Sequence, residues 1–137
     1  MYDTSESDEP NREANDMADV QIKLAALWAA LMLTYLLGDV LRIFSGDFKA
    51  GEIGGVRVTQ AMWLGIAALM VIPIVMLVLT LMLPQPVNRW ANIAVAVGFF
   101  LFNLAGLPTY PSAYDKFLIV VGLVFNVVTV WIAWKWV

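Results

Sequence analysis

The residues best suited to chemistry lie near the end of the first apolar segment of the chain. Asp39 is the only carboxylate within that segment, and Arg42 follows it three residues later. Residues three apart share one face of a helix, so the carboxylate and the guanidinium can pair. A charge in hydrocarbon costs roughly 2.5 to 3.5 kcal/mol, which makes Asp39 a functional candidate. The alternative is a self-neutralised helix end, with Arg42 reaching outward.

Three further polar residues fall at a similar predicted depth. Asn103 lies about one turn inside the end of the third apolar segment, as Asp39 does in the first. Tyr35 lies one turn deeper than Asp39, and Tyr114 begins the fourth segment. We therefore predict a ligand-binding polar pocket built from these residues: Tyr35, Asp39, Arg42, Asn103 and Tyr114.

Two residue types are missing from the sequence, and their absence excludes several kinds of chemistry. The chain has neither cysteine nor histidine. Disulfides, thiol redox chemistry, imidazole bases and the common zinc and haem ligands are therefore excluded. We expect no catalytic residue, no cofactor and no metal site. An enzyme acting on a lipid is the least favoured alternative, because the chain offers few residues that could serve as a general acid, base or nucleophile.

Composition and hydropathy point to a membrane protein. Of the 137 residues, 61% are hydrophobic and 14% are charged, against roughly 25% charged in a soluble domain. Four segments reach the length of about 20 apolar residues that a spanning helix needs, at positions 22–44, 61–83, 88–107 and 115–136. Their short connections predict an all-α, four-helix transmembrane bundle in up-down-up-down order. Both termini then lie on one side, the termini side, opposite the loop side.

The predicted helix limits rest on specific residues. Thr59 or Gln60 can cap the second helix, and Pro84 can end it. Asp115 places a negative charge at the positive end of the fourth helix. Pro73, in the middle of the second helix, removes one backbone hydrogen bond and predicts a kink or a hinge.

An acidic segment precedes the first predicted helix. Residues 1–21 hold seven of the eleven acidic residues and one arginine. We predict a disordered acidic tail over 1–21 and a separate transmembrane domain over 22–137. A docking segment for a basic partner is the alternative. The segment has the features of neither a signal peptide nor a transit peptide.

Aromatic and basic residues can indicate how deep the helices lie in the membrane and which way the chain is oriented. Tryptophans cluster toward both predicted interfaces and are interpreted as anchors: Trp28, Trp90, Trp131, Trp134 and Trp136 toward the termini side, and Trp63 toward the loop side. Lysine and arginine are tied at four per side, so the positive-inside rule does not choose an orientation. We predict a multi-pass protein of the inner (plasma) membrane with cytoplasmic termini.

Small and amide residues inside the spans suggest how the helices pack. Pairs at four-residue spacing are Ala25 with Ala29, Ala26 with Ala30, Ala61 with Gly65, and Ala94 with Gly98. They predict packing within one bundle, with a homo-oligomer contact as the alternative. Asn126 should hydrogen-bond a neighbouring helix or a second protomer.

Polar residues outside the predicted pocket have more ordinary interpretations. At the start of the third helix, Asn88 can cap, while Arg89 and Trp90 can anchor. Asn92 shares a face of that helix with Asn103. The first loop, 45–60, is glycine-rich without a phosphate-binding pattern, and a lid over the bundle is a hypothesis for it.

Three runs carry a resemblance to a known family: GDVLRIFSGDFKAGEI, IPIVMLVLTLMLPQPVNRWANI, and YDKF followed by WIAWKW. They are similar to a prokaryotic family of small four-helix membrane proteins of unknown function, over roughly residues 20–136. The resemblance implies the four-span fold. It also points to residues matching the family's recurring pattern, namely Asp39, Pro73, Asn88, Arg89 and Asn92. DoxX-type proteins are similar in size and span count only.

These observations favour two functions. The first is an integral membrane protein that binds or transports a small molecule or lipid near Asp39, alone or as a homo-oligomer. The second is a structural or accessory subunit of a larger membrane complex. The expected partners are the lipid bilayer and further membrane subunits, and no nucleic acid is expected.

Overall fold

A computed structural model describes residues 5–136, with side chains from Asp8 onward. It contains four long helices, α1 (Ser5–Phe44), α2 (Gln60–Met82), α3 (Gln85–Gly106) and α4 (Ala113–Lys135). A short hairpin of β1 (Glu52–Ile53) and β2 (Val56–Arg57) lies between α1 and α2, and a 3₁₀ turn spans Leu107–Thr109. All four helices are long and apolar enough to cross a membrane, which confirms the all-α fold class.

The first helix begins earlier than predicted: α1 runs without a break from Ser5 through the acidic segment into the apolar one. Residues 1–4 of the predicted disordered tail lie outside the described residues, and the division into a tail and a transmembrane domain remains a prediction. Helix nucleation is costly but elongation is not, so a stable apolar helix can extend into its flank. Pro10 lies only five residues after Ser5, and acidic side chains favour the positive end of a helix.

The helices are not packed evenly. α1 packs along both α2 and α4, and α3 packs along α4, whereas α2 and α3 make few contacts with each other. Arg42, near the end of α1, contacts the start of α4. Arg89, near the start of α3, contacts the end of α4. These contacts agree with the up-down-up-down order, which remains a prediction.

The core lies where α1 faces α2, α3 and α4. Its buried members come from three helices: Trp28, Leu31, Met76, Ala96 and Phe99. Trp28 is 1% exposed, so the structure corrects its interpretation as an interfacial anchor. Trp136 is also buried, against Leu24 and Ala133. The other four tryptophans are exposed on the outside of the bundle, and their role as anchors remains a prediction.

Local signals position the ends of α2 and the loop before it. Thr59 caps α2 by accepting a hydrogen bond from the Met62 backbone N–H at 3.3 Å, as predicted. Gly54 and Gly55, with φ of 59° and 80°, form the turn of the hairpin, where positive φ favours glycine. Pro73 is buried within a continuous α2, and a kink there remains a prediction.

The small-residue pairs divide into inward and outward ones. Ala25 is buried between helices. Gly65 and Gly98 face outward, and a Cβ added at either would meet no atom within 4 Å. Ala61 and Ala94 are exposed on the same faces. The prediction of packing within one bundle is therefore wrong for the pairs on α2 and α3.

Candidate functional site

The end of α1 carries an arginine shared by two carboxylates. Arg42 donates one hydrogen bond to Asp39, at 3.2 Å, and another to Asp115 at the start of α4, at 2.9 Å. Its guanidinium also lies over the ring of Tyr110, 5.4 Å from the centroid. The predicted pairing of Asp39 with Arg42 is therefore present. Asp115 was predicted only as a favourable charge at the helix start, and it is the closer partner.

The two carboxylates differ in exposure. The Asp115 side chain is 6% exposed, while that of Asp39 is 56% exposed. One guanidinium neutralises one carboxylate, so the trio carries a net charge of −1. The buried carboxylate makes the shorter contact, which leaves Asp39 as the group available to other molecules.

Tyr35 and Asn103 form a second group, deeper in the bundle. The Asn103 amide donates hydrogen bonds to the Tyr35 hydroxyl and to the Phe99 carbonyl oxygen. The rings of Tyr35 and Phe99 stack with centroids 6.3 Å apart. The predicted convergence of α1 and α3 at this depth is therefore present, with the two polar groups satisfying each other.

Tyr114 faces the first loop. Its hydroxyl donates to Oδ2 of Asp47 at 2.6 Å. The same Asp47 oxygen accepts hydrogen bonds from the hydroxyls of Ser112 at 3.0 Å and Ser45 at 3.1 Å. Hydrogen bonds from Tyr114, Ser112 and Ser45 hold the pKa of the Asp47 carboxyl below its ordinary value. We call this cluster the hydroxyl latch. It fastens the start of the loop to the start of α4.

The five predicted pocket residues thus fall into three groups. Asp39 and Arg42 are joined directly, Tyr35 and Asn103 form a pair below them, and Tyr114 belongs to the hydroxyl latch. Whether they bind a ligand remains a prediction. Asp47 and Ser112 were not among the predicted site residues. Only the folded loop brings Asp47 beside Ser112 and Tyr114, which follow it in the sequence by 65 and 67 positions.

A buried amide network lies at the other end of the bundle. Asn92 accepts a hydrogen bond from the Trp28 indole at 2.7 Å and donates to the Asn88 side chain at 2.7 Å. Asn88 in turn donates to the backbone oxygen of Thr80 at 2.6 Å. Since α3 begins at Gln85, Asn88 does not cap it as predicted. It instead satisfies carbonyl groups at the end of α2, including that of Leu83.

Arg89 serves the end of α4. Its guanidinium donates to the backbone oxygens of Ala133 at 3.1 Å and Trp134 at 2.8 Å. It also lies 5.2 Å from the centroid of the Trp90 ring. These carbonyls lack partners within the helix, so a cation here compensates both their hydrogen bonding and the helix dipole. Arg89 therefore caps the end of α4, and its interpretation as a membrane anchor remains a prediction.

Comparison with known proteins gives a family but no activity. A family model matches residues 15–136, which is most of the chain. The chain belongs to DUF6326, a family of unknown function. The match confirms the resemblance carried by the three runs, and the prokaryotic origin of the family remains a prediction. No curated protein and no solved structure matches the chain.

Proposed function

We propose that this DUF6326 member is a multi-pass protein of the inner (plasma) membrane that binds a small molecule or lipid bearing a cationic group. Its termini are proposed to be cytoplasmic. The four apolar helices support the membrane assignment. The binding position is the loop-side mouth, which we define by Asp39, Arg42 and Asp115.

The half-exposed Asp39 carboxylate carries this proposal. Arg42 lies closer to the buried Asp115 than to Asp39, so of the two carboxylates that share its formal positive charge Asp39 is the less fully paired. A cationic group can contact that carboxylate from outside without displacing the Arg42–Asp115 pair. Charge-assisted hydrogen bonds are stronger than neutral ones, which suits a ligand carrying an ammonium or a similar group.

The packing below the mouth favours binding over transport. Stacked Tyr35 and Phe99 fill the space between the mouth and the amide network, and Trp28 packs edge-on against Phe99. An ion pathway needs several aligned polar groups, whereas this stretch is filled by aromatic rings. A ligand held at the mouth therefore requires no rearrangement of the core.

The test measures binding of 2-phenylethylammonium, an apolar cation whose ammonium group can donate hydrogen bonds, to the protein in nanodiscs. Asp39→Asn should weaken binding about tenfold, since it removes one charge-assisted contact. Glu52→Gln is the matched control, because it removes an acid of the adjacent loop outside the hydroxyl latch, and should change affinity less than about threefold. Equal affinity of wild type and Asp39→Asn would contradict the proposal.

A second function is favoured by a different observation. The outward faces of α2 and α3 carry Gly65 and Gly98 beside exposed alanines, and small residues let helices approach closely in lipid. These faces suit a structural or accessory subunit that packs against a larger membrane complex, or a homo-oligomer. Gly65→Leu and Gly98→Leu should then release the protein from its assembly in native gels of solubilised membranes. Unchanged migration of both variants would argue against this function.

A further inference from the structure

Two basic residues lie at the end of the bundle where α3 begins and α4 ends. Arg89 is held there by backbone oxygens of α4, and Lys135 is the last residue of that helix. Within residues 8–136, neither side chain forms an ion pair. The nearby Lys23 of α1, by contrast, is paired with Asp19 at 2.9 Å. This end of the bundle therefore carries two positive charges that no described acidic side chain neutralises.

Tryptophan rings hold both cations beside one groove. The Arg89 guanidinium lies 5.2 Å from the centroid of the Trp90 ring and 5.5 Å from that of Trp134. The Lys135 ammonium lies 4.3 Å from the centroid of the Trp131 ring. Trp131 and Trp134 also line a groove between α3 and α4, with a volume of about 380 Å³. The two rings that hold the cations are therefore also walls of the groove, which places the positive charges at its end.

The groove is apolar and runs along the bundle away from these charges. Its walls include Val97, Phe100 and Val127, and on α4 it reaches as far as Asn126. Asn126 lies nine residues before Lys135, which corresponds to about 14 Å along the helix. Half of the hydrocarbon core of a bilayer is about 15 Å thick. The groove therefore matches, in length and in polarity, an acyl chain of a lipid in one leaflet.

We propose that this end of α3 and α4 binds an anionic phospholipid, with its phosphate at Arg89 and Lys135 and one acyl chain in the groove. The two positive charges favour an anion, and the adjoining groove favours an anion that carries an apolar chain. Basic pockets between spanning helices bind anionic head groups in this way. The inference rests on the proposed membrane setting. It is independent of the cationic ligand proposed for the loop-side mouth, which lies at the opposite end of α4.

A second copy of the chain is a less suitable occupant of this groove. Two copies related by a two-fold axis along the membrane normal would bring the same face of each together. Arg89 and Lys135 of one copy would then approach the same residues of the other, and like charges brought together in an interface are costly. An anionic phospholipid neutralises these charges instead.

The experiment measures quenching of tryptophan fluorescence by brominated lipids, because Trp131 and Trp134 line the groove. The full chain in mixed micelles is titrated with phosphatidylglycerol or with phosphatidylcholine, each brominated on its acyl chains. Wild type should bind phosphatidylglycerol about 10- to 25-fold more tightly, since each of the two cations contributes about a factor of five. Lys135→Gln should lower this preference about fivefold. Arg89 is left in place because it also caps α4.

Two variants and one competitor are the controls. Lys116→Gln removes an exposed lysine from the other end of α4 and should change the preference less than about twofold. Asp39→Asn, at the loop-side mouth, should also leave it unchanged, which separates this site from the proposed cation site. Glycerol phosphate, which has the phosphate without acyl chains, should not displace the brominated phosphatidylglycerol.

Three results would overturn the proposal. Equal quenching of wild type by the two lipids would leave these residues as general membrane anchors. A preference that is undiminished in Lys135→Gln would place the anion elsewhere, and displacement by glycerol phosphate would show that the groove plays no part. Protection of the tryptophans from both lipids in a dimeric protein would make a second copy the occupant, and it would overturn the proposal as well.

Discussion

At the scale of single residues, polar side chains in this bundle do two kinds of work. Asn88 and Asn92 are fully buried and hydrogen-bonded across three helices. Asp39 is half-exposed and only partly engaged. A buried amide that loses its partner costs more than an exposed one, because water cannot replace the lost bond. The cost of losing a polar partner therefore depends on how deeply the side chain is buried.

Replacing Asn92 by leucine should destabilise the protein. The change strands the Trp28 indole and the Asn88 side-chain oxygen in the core, and each stranded group costs about 1–3 kcal/mol. Thermal unfolding in detergent, followed by circular dichroism, measures the effect. Asn15→Leu is the matched control: it removes an exposed asparagine of α1, so its melting temperature should not fall. A lower melting temperature for the control would refute this explanation.

Asp115 and Asp39 should respond differently to conversion to asparagine. Asp115→Asn removes the buried half of the Arg42 pair and should lower the free energy of unfolding by about 1–2 kcal/mol. Asp39→Asn removes a pair that is more than half exposed and should cost less than about 0.5 kcal/mol. Denaturant unfolding in mixed micelles compares the two. Equal losses would mean that the buried carboxylate is not the principal partner.

At the scale of elements, connections between helices are fastened by side chains from the neighbouring segment. The hydroxyl latch ties the loop after α1 to the start of α4 through Asp47. Asn88 of α3 donates a hydrogen bond to a backbone oxygen near the end of α2, and Arg89 donates one to a backbone oxygen at the end of α4. Helix ends leave several carbonyl groups without partners, so these residues do the work that a capping residue usually does.

The hydroxyl latch should open at low pH. Hydrogen bonds lower the pKa of Asp47 in the folded protein, so its contribution is complete above the unfolded value of about 3.9. It is lost as the pH falls through the lower folded value. Hydrogen exchange of loop residues 45–51, followed by mass spectrometry, should therefore accelerate on acidification, after correction for the intrinsic rate. Asp47→Asn should exchange fast even at neutral pH, and slow exchange in that variant would refute the assignment.

Sequence patterns predict the elements well because hydropathy and capping act locally. Thr59 caps α2 as expected, and each of the four apolar segments coincides with one helix, running past its last residue by at most one position. The hydroxyl latch could not be predicted, because Asp47 and Tyr114 are 67 positions apart and meet only through the packing of α1 on α4. Trp28 was misinterpreted for a similar reason: its partner, Asn92, lies on another helix, 64 positions away.

At the scale of the whole molecule, the bundle separates an inner and an outer set of small residues. Gly122 of α4 faces α1, where an added Cβ would lie 3.4 Å from Leu31 and 3.6 Å from Tyr35. Gly98 of α3 faces outward with nothing within 4 Å. Small residues in the interior set the distance between helices, whereas those outside are available to other molecules.

Leucine at these two glycines should therefore give opposite results. Gly122→Leu forces α1 and α4 apart and should lower stability by about 1–3 kcal/mol. Gly98→Leu should leave the melting temperature of the isolated protein unchanged or higher, since leucine favours helix more than glycine does. Thermal unfolding of the purified monomer in detergent makes the comparison. A large loss for Gly98→Leu would show that its face is covered within one bundle.

The first turn of α3 also constrains the order in which the chain can be assembled during synthesis. Asn88 bonds to the end of α2, a helix already made, so in the proposed membrane setting this contact can form before α4 is synthesised. Arg89 and Gln85 bond to backbone oxygens of Ala133, Trp134 and Trp136, which are synthesised more than 40 residues later. An insertion intermediate with three helices would hold a charged arginine with its acceptors still missing. Membrane integration would then be complete only when the last turn of α4 reaches that side chain.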